Sequence, residues 1–384
     1  MSEWKEYKLG DLGTVVTGKT PSKNNPEDWG DEMPFVTPSD YKNYGKFAKR
    51  AERNLSKIGI ERLKNKILPI KSILVTCIGS DMGKVAINSR QVITNQQINS
   101  IIPNSKTNSD FLYYRLVSMY ETLRIYGGDG TAVPIVNKGD FENIETELPS
   151  LPEQTAIASV LSSLDDKIDL LHRQNATLEK MAETLFRQWF VEEAKEDWEM
   201  GKLGNEFDFV MGASPPGESY NEEGNGIPMY QGNADFGFRF PTNRVFTTDP
   251  KRFAEKFDTL ISVRAPVGEQ NMANERCCIG RGVAAFRFKK DNSFYTYTYY
   301  KMKSLMDDIK QFNETGTVFG SISKSDFESI DAIIPDMETI NRFQTEVKPI
   351  DDKVITNNNQ IHTLTALRDT LLSKLMSGEV RVEV

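Results

Sequence analysis

At 384 residues, with 38% hydrophobic and 27% charged side chains, the chain has room for two or more packed domains and is too apolar to remain disordered. Its polar start, MSEWKEYKLG, and the lack of any run of about 18 apolar residues exclude a membrane helix and lead us to expect a cytoplasmic protein with no membrane partner. Two histidines and three cysteines, Cys77, Cys277 and Cys278, supply no usual zinc set, no disulfide framework and no ready imidazole base, which sets aside metal-centred and histidine-based catalysis.

In chain order, Trp4 to Val16 alternates as a short strand after a loop. Between residues 42 and 71, Lys42, Lys46, Lys49, Arg50, Arg53, Lys57, Arg62, Lys64, Lys66 and Lys71 stand against only Glu52 and Glu61, so this stretch is locally basic although the net charge is -8. Lys71 to Ile87 (KSILVTCIGSDMGKVAI) predicts a strand, a glycine-rich turn and a second strand. Val92 to Ile102 reads as a strand interrupted by Asn95-Gln96-Gln97, and Asp110 to Ile125 has helical spacing with an aromatic core face. The globule is therefore expected to be α/β (α+β). Gly127-Gly128-Asp129-Gly130 reads as a flexible loop rather than a phosphate cradle.

From Ile157 the apolar positions step by four and three through Leu161, Leu164, Ile168, Leu171, Asn175, Leu178, Ala182, Leu185 and Trp189, a seam of about four heptads. The same seam recurs 186 residues later, from Phe343 through Val347, Ile350, Val354, Asn357, Ile361, Leu364, Arg368 and Leu371 to Leu375, so the partner helix lies in the same chain. Each seam holds one mid-seam amide, and the two are not at equivalent repeat positions. A parallel arrangement would set Asn175 against Ile361 and Asn357 against Leu171, burying two unpaired amides at about 1 to 3 kcal/mol each. An antiparallel arrangement sets Asn175 against Asn357 and Leu171 against Ile361. We therefore expect an antiparallel coiled coil with internal pseudo-two-fold symmetry, its register fixed by Leu171, Asn175, Asn357 and Ile361. Arg368, at a seam position, is read as a point where the coil loosens.

The globule is duplicated as well. Trp4, Leu9, Gly10, Gly18 and Pro21 recur at a spacing of 194 as Trp198, Leu203, Gly204, Gly212 and Pro215; Lys138, Asp140-Phe141-Glu142, Ile144 and Pro149 recur at 186 as Lys324, Asp326-Phe327-Glu328, Ile330 and Pro335. Four consecutive pieces are expected: a globule at 1–150, a helix at 151–195, a second globule at 196–336, and a second helix with tail at 337–384. The frameworks match while the exposed loops differ, Asn95-Gln96-Gln97 standing where Gly280-Arg281-Gly282 stands.

No phosphate-binding or dinucleotide motif is present. The triplets Asp165-Asp166-Lys167 and Asp351-Asp352-Lys353 resemble nuclease carboxylate–lysine sets, yet they sit beside seam residues and are read as solvated helix faces. What remains is binding. Asn95, Gln96, Gln97, Gln231 and Asn233 suit adenine edges, and Arg264, Arg276 and Arg281 suit guanine edges or phosphates. Lys42, Lys46, Lys49 and Arg50 suit phosphate contacts that position without specifying. Lys19, Thr20, Ser80, Lys84, Thr131, Ser214 and Thr317 complete the expected DNA-binding set. A standalone DNA nuclease and a duplicated scaffold with no nucleic-acid contact are the rival readings. The first would cut DNA unaided, and the second would show no salt-dependent DNA binding.

The half-repeats WKEYKLG at Trp4 to Gly10 and WEMGKLG at Trp198 to Gly204, GKTPS at Gly18 to Ser22, RAPVG at Arg264 to Gly268, and the helices carrying LPEQTAIASVLSSLDDKID and IDDKV together resemble the specificity subunit of type I restriction-modification systems. The likeness covers essentially the whole chain. It implies two tandem target recognition domains, each reading one half of a bipartite site in double-stranded DNA, and conserved spacer helices that set the gap. It also implies two modification (methyltransferase) subunits and two restriction (endonuclease/translocase) subunits as partners. No catalytic residue and no cofactor belong to this chain on that likeness: S-adenosylmethionine sits on the modification subunit, ATP and magnesium on the restriction subunit. The second helix departs from the first at its opening, METINRFQTEVKPI replacing LPEQTAIASVLSSL.

Overall fold

A computed structural model describes residues 4–43, 45–128, 135–315 and 321–383. It divides into two compact units, Met1–Leu170 with Ile361–Val384, and Leu171–Gln360. The division falls inside both long helices, Leu151–Arg187 and Met337–Met376, so each unit contains part of both. Among the described residues no helix is long and apolar enough to cross a membrane.

In the first unit, Ile73–Thr76 is buried at every position, as a run of apolar and β-branched residues at a sheet centre should be. It lies within a five-stranded sheet ordered Gly13–Thr17, Ile98–Pro103, Ile73–Thr76, Val85–Asn88, Phe47–Ala48. A second sheet runs Trp29–Gly30, Arg53–Leu55, Met33–Val36, Ile93–Thr94. The expected strand from Trp4 to Val16 is instead two strands, Lys5–Lys8 and Gly13–Thr17, separated by a 3-10 turn; the first pairs with Glu145–Leu148 and the second with Ile98–Pro103. The interruption at Asn95-Gln96-Gln97 passes the chain from one sheet to the other, which is why a single apolar run contains two strands. Asn108 caps the helix Ser109–Ser118 by accepting the Phe111 N–H at 3.0 Å, and a break at Met119 separates it from Tyr120–Tyr126.

The second unit repeats this plan. Phe207–Met211, Val283–Phe288, Thr259–Ser262 and Gln270–Met272 form one sheet. Tyr220–Asn221, Phe246–Thr247, Ile227–Tyr230, Cys277–Ile279 and Phe253–Ala254 form another. The helix Tyr295–Ser304 takes the place of Ser109–Ser118. The sheet edges correspond too: Ala254 pairs antiparallel with Cys277 as Leu68 does with Val92, and the Met272 N–H donates to the Arg239 carbonyl as the Ile87 N–H does to that of Lys46.

Within each unit the helix segments run antiparallel. In the first, Ile157, Ala158 and Leu161 share a core with Leu371, Leu375 and Met376, and Asp165 meets Arg368 at 2.8 Å. In the second, Phe186 and Phe190 pack on Phe343 with ring centroids 5.4 and 5.2 Å apart, and Asn357 Nδ2 donates to Asn175 Oδ1 at 2.9 Å. Both amides are fully buried, and Leu171 and Ile361 are buried at 1% and 8% exposure.

Two sequence expectations about charge are corrected. Arg368 does not loosen the seam: its guanidinium pairs with Asp165 and Asp369, turning a would-be defect into an interhelical bridge. The triplets are not uniformly solvated either. Asp166 and Lys167 face water, but Asp165 accepts the Tyr114 hydroxyl at 2.5 Å, and Asp351 is completely buried against Arg239 at 3.1 Å. The first aspartate of each triplet ties the helix to its globule.

Candidate nucleic-acid interface

Around Asn95-Gln96-Gln97 and Gly280-Arg281-Gly282 the backbone hydrogen bonds repeat one for one. Gly18 N–H donates to Ile98 O as Gly212 N–H does to Val283 O; Lys19 to Thr94 as Ala213 to Ile279; Asn95 to Val36 as Gly280 to Tyr230; Cys77 to Gln97 as Val263 to Gly282. An added Cβ at Gly18 would lie 2.2 Å from the carbonyl oxygens of Thr94 and Asn95, and one at Gly212 2.1 Å from that of Gly280. Only glycine lets the two loop tips approach this closely. Residues 18–20 and 94–97 therefore meet at one edge of the first globule, and 212–214 and 279–282 do so in the second.

On this shared frame the side chains differ. In the first copy Thr20 Oγ1 donates to Gln96 Oε1 at 2.6 Å, with both residues exposed. Asn95 is buried and turned inward, donating to Gln97 Oε1 at 2.9 Å and accepting the Gln97 N–H at 3.1 Å. In the second copy Arg281 Nε donates to Ser214 Oγ at 3.1 Å, Ser214 to Gln231 Oε1 at 3.0 Å, Gln231 Nε2 to the Tyr220 hydroxyl at 2.7 Å, and Tyr220 to the Pro215 carbonyl at 3.0 Å. Gly280 and Gly282 make room for Gln231, whose Oε1 and backbone oxygen would lie 2.2 and 2.1 Å from the respective added Cβ atoms. Sequence reasoning missed Tyr220; the signal available was one aromatic residue inside the polar stretch PPGESYNEEG.

The remaining expected contacts scatter. Lys19 is exposed beside Thr20, Ser80 is exposed in the turn between Ile73–Thr76 and Val85–Asn88, and Lys84 pairs with Asp81 at 2.6 Å. Lys42 pairs with Glu52 at 3.0 Å, Lys49 pairs with Asp169 at 3.2 Å, and Arg50 is exposed. Arg264 is exposed at an isolated bridge to Ser321, and Asn233 opens a 3-10 turn. Arg276 lies over the Phe253 ring and 3.3 Å from Glu255. Thr131 and Thr317 lie outside the described residues.

Lys46 does not belong to a phosphate-contacting surface. Its side chain is 4% exposed, its ammonium is 2.6 Å from Asp110 and 2.7 Å from Ser162 Oγ, and it sits over the Tyr114 ring at 4.8 Å. The basic stretch as a whole is less basic in space than in sequence. Arg62 is answered by Glu27 and Asp28, Lys57 by Glu32, Lys46 by Asp110 and Lys49 by Asp169, all acids from outside it. Burial pushes the Cys77 thiol, behind the Gln97 carbonyl, up to about 11, so it is an inert core group.

One backbone frame presented twice with different polar side chains marks the chain as a duplicated recognition protein. The family model for the type I restriction modification DNA specificity domain matches residues 1–180 and 195–367, and the chain belongs to that family. It is similar to the type I restriction enzyme MjaIX specificity subunit of Methanocaldococcus jannaschii, 29% identical over 415 residues that cover 99% of this chain and 94% of that protein. The HindI specificity subunit of Haemophilus influenzae is 41% identical over 149 residues, 38% of this chain and 32% of that protein. The crystal structure of a type I restriction-modification S subunit from M. genitalium shares the fold, with a TM-score of 0.64 at 20% identity, covering 100% of this chain and 97% of that one.

Proposed function

We propose that this chain is the DNA-reading, non-catalytic subunit of a type I restriction-modification complex, with residues 1–150 and 196–336 each recognising one half of a bipartite duplex target. The observation that carries the reading is the repeated loop frame whose side chains alone differ: two readers built alike should have common backbone support and separate base contacts. The long helices, 151–195 and 337–384, act as the spacer that sets the gap between half-sites, and their outer faces dock two methyltransferase subunits. Two restriction subunits complete the assembly. Adenine methylation, which requires a base turned out of the stack, occurs on the partners beside each reader. Asp166, Lys167 and Lys353 remain on the outside of the helices, available to those partners.

Deleting four residues, about one helical turn, from the first helix should change the required gap while leaving both half-site sequences intact, as read by sequencing methylated sites. An unchanged gap would overturn the spacer role. The purified chain should neither cut nor methylate DNA when given magnesium or S-adenosylmethionine, which separates it from a nuclease. Its DNA binding should weaken steeply with salt, which separates it from a scaffold.

A further inference from the structure

We infer that Gln96 in the first copy and Arg281 in the second are the equivalent base-reading side chains, each aimed by a hydroxyl from the facing loop, Thr20 and Ser214. This deepens the DNA-reading function proposed above and rests on it. Position 96 stands to 281 as 98 stands to 283: Gly18 and Gly212 donate to Ile98 and Val283, and Cys77 and Val263 to Gln97 and Gly282. The hydroxyls correspond too, Thr20 and Ser214 each lying two residues beyond those glycines.

Hydrogen-bond capacity separates readers from supports. Gln231 accepts from Ser214 at Oε1 and donates to Tyr220 from Nε2, so its amide is oriented and engaged at both ends. Asn95 is buried with its amide bonded to Gln97. Gln96 is exposed and uses one acceptor lone pair on Thr20, which leaves the second lone pair and both Nε2 protons without a partner among the described residues. That pattern matches adenine N6–H and N7. Arg281 is exposed and anchored through Nε and its backbone N–H to Ser214, which leaves both terminal nitrogens without a partner among the described residues. That fork matches guanine O6 and N7. The supporting hydroxyl removes rotamers that would otherwise be frozen on binding, so the side chain is aimed before DNA arrives.

The test uses the full chain assembled with its modification subunits, with methylated sites read by sequencing and binding measured on matched and mismatched duplexes. Arg281→Gln should change one position, from guanine towards adenine, in a single half-site. Gln96→Arg should make the reverse change in the other half-site, each substitution leaving the opposite half-site untouched. Arg281→Lys, which keeps the charge and loses the fork, should cut discrimination at that position about 10- to 100-fold, the range a bidentate base contact supports. Ser214→Ala should lower discrimination without altering the preferred base. An unchanged target with Arg281→Gln and Gln96→Arg would overturn the inference, and Arg281→Lys with full discrimination would do so even if the glutamine variant fails to fold. If the unsubstituted complex shows no sequence-specific, salt-sensitive binding, the DNA-reading function itself fails instead.

Discussion

Replacing Arg239 by methionine should destabilise the second unit by about 3 to 5 kcal/mol, the usual cost of removing one partner from a buried ion pair. Arg239 is 0% exposed, and Nη2 lies 3.1 Å from Asp351 Oδ1, 3.8 Å from Glu179 and 3.1 Å from the Tyr300 hydroxyl, with the guanidinium 3.8 Å over the Tyr299 ring. Without it Glu179 keeps Lys303 at 2.7 Å, while Asp351, also 0% exposed, is left among the described residues with the Thr296 hydroxyl at 3.1 Å. For a domain of this size each kcal/mol lowers the melting temperature by about 2 to 4 °C, so calorimetry should show a fall of about 10 °C. The pH dependence is diagnostic. Burial already raises the Asp351 carboxyl above its ordinary range despite the nearby Arg239, and removing the cation raises it further. A carboxyl raised on folding is tolerated in its neutral form below its unfolded value near 4 and penalises folding as pH climbs through the raised value. The gap between variant and wild type should therefore narrow as pH falls from 8 to 4, and Arg239→Met with Asp351→Asn should recover most of the loss. A cost under about 1 kcal/mol, or a gap flat in pH, would refute the reasoning.

Asn175→Leu or Asn357→Leu alone should cost about 1 to 3 kcal/mol by stranding the other amide, whereas the double variant should be as stable as the parent in denaturant unfolding and less particular in helix register. Asp336 caps the second long helix: it accepts from Lys195 at 2.7 Å, from the Thr339 N–H at 2.8 Å and from Trp198 Nε1 at 2.8 Å, and these hold its carboxyl well below the usual carboxylate range. Its stabilisation is full above the unfolded value near 4 and lost as pH falls through the depressed one. Asp336→Ala should then cost about 1 kcal/mol at pH 7, and less in acid, by thermal melting. Gly212→Ala should force a Cβ into the Gly280 carbonyl, cost about 1 to 3 kcal/mol of overpacking and displace Arg281, read as lost half-site discrimination.

The duplication was legible because framework residues recur at fixed spacings, and strands such as Ile73–Thr76 were legible because continuous β-branched and apolar residues suit a sheet centre. What escaped sequence reasoning depends on partners distant along the chain. Asp165 reads as solvated until Arg368 arrives from the other helix, and nothing in the sequence beside Arg239 announces the two tyrosines and two carboxylates that enclose it. The basic stretch at 42–71 loses its field to acids such as Asp28, Asp110 and Asp169. Gln231 and Gln96 were indistinguishable as exposed loop amides, since which end of an amide is engaged is set by neighbours from other loops.

The two copies solve the same docking problem with different charges, and this predicts unequal fragility. In each, a cation rests on a tyrosine pair beside the first aspartate of a DDK triplet: Lys46 on Tyr113 and Tyr114 near Asp165, Arg239 on Tyr299 and Tyr300 near Asp351. The first copy splits the work, Lys46 answering Asp110 and Arg368 answering Asp165. The second concentrates it, one guanidinium serving Asp351 and Glu179. Asp110 is 27% exposed and can hydrate when its cation is lost, whereas Asp351 at 0% cannot. Lys46→Met should therefore cost only about 1 to 2 kcal/mol, on the scale of one lost charged hydrogen bond. Equal losses for Lys46→Met and Arg239→Met in parallel melts would show that burial of the orphaned carboxylate does not set the cost.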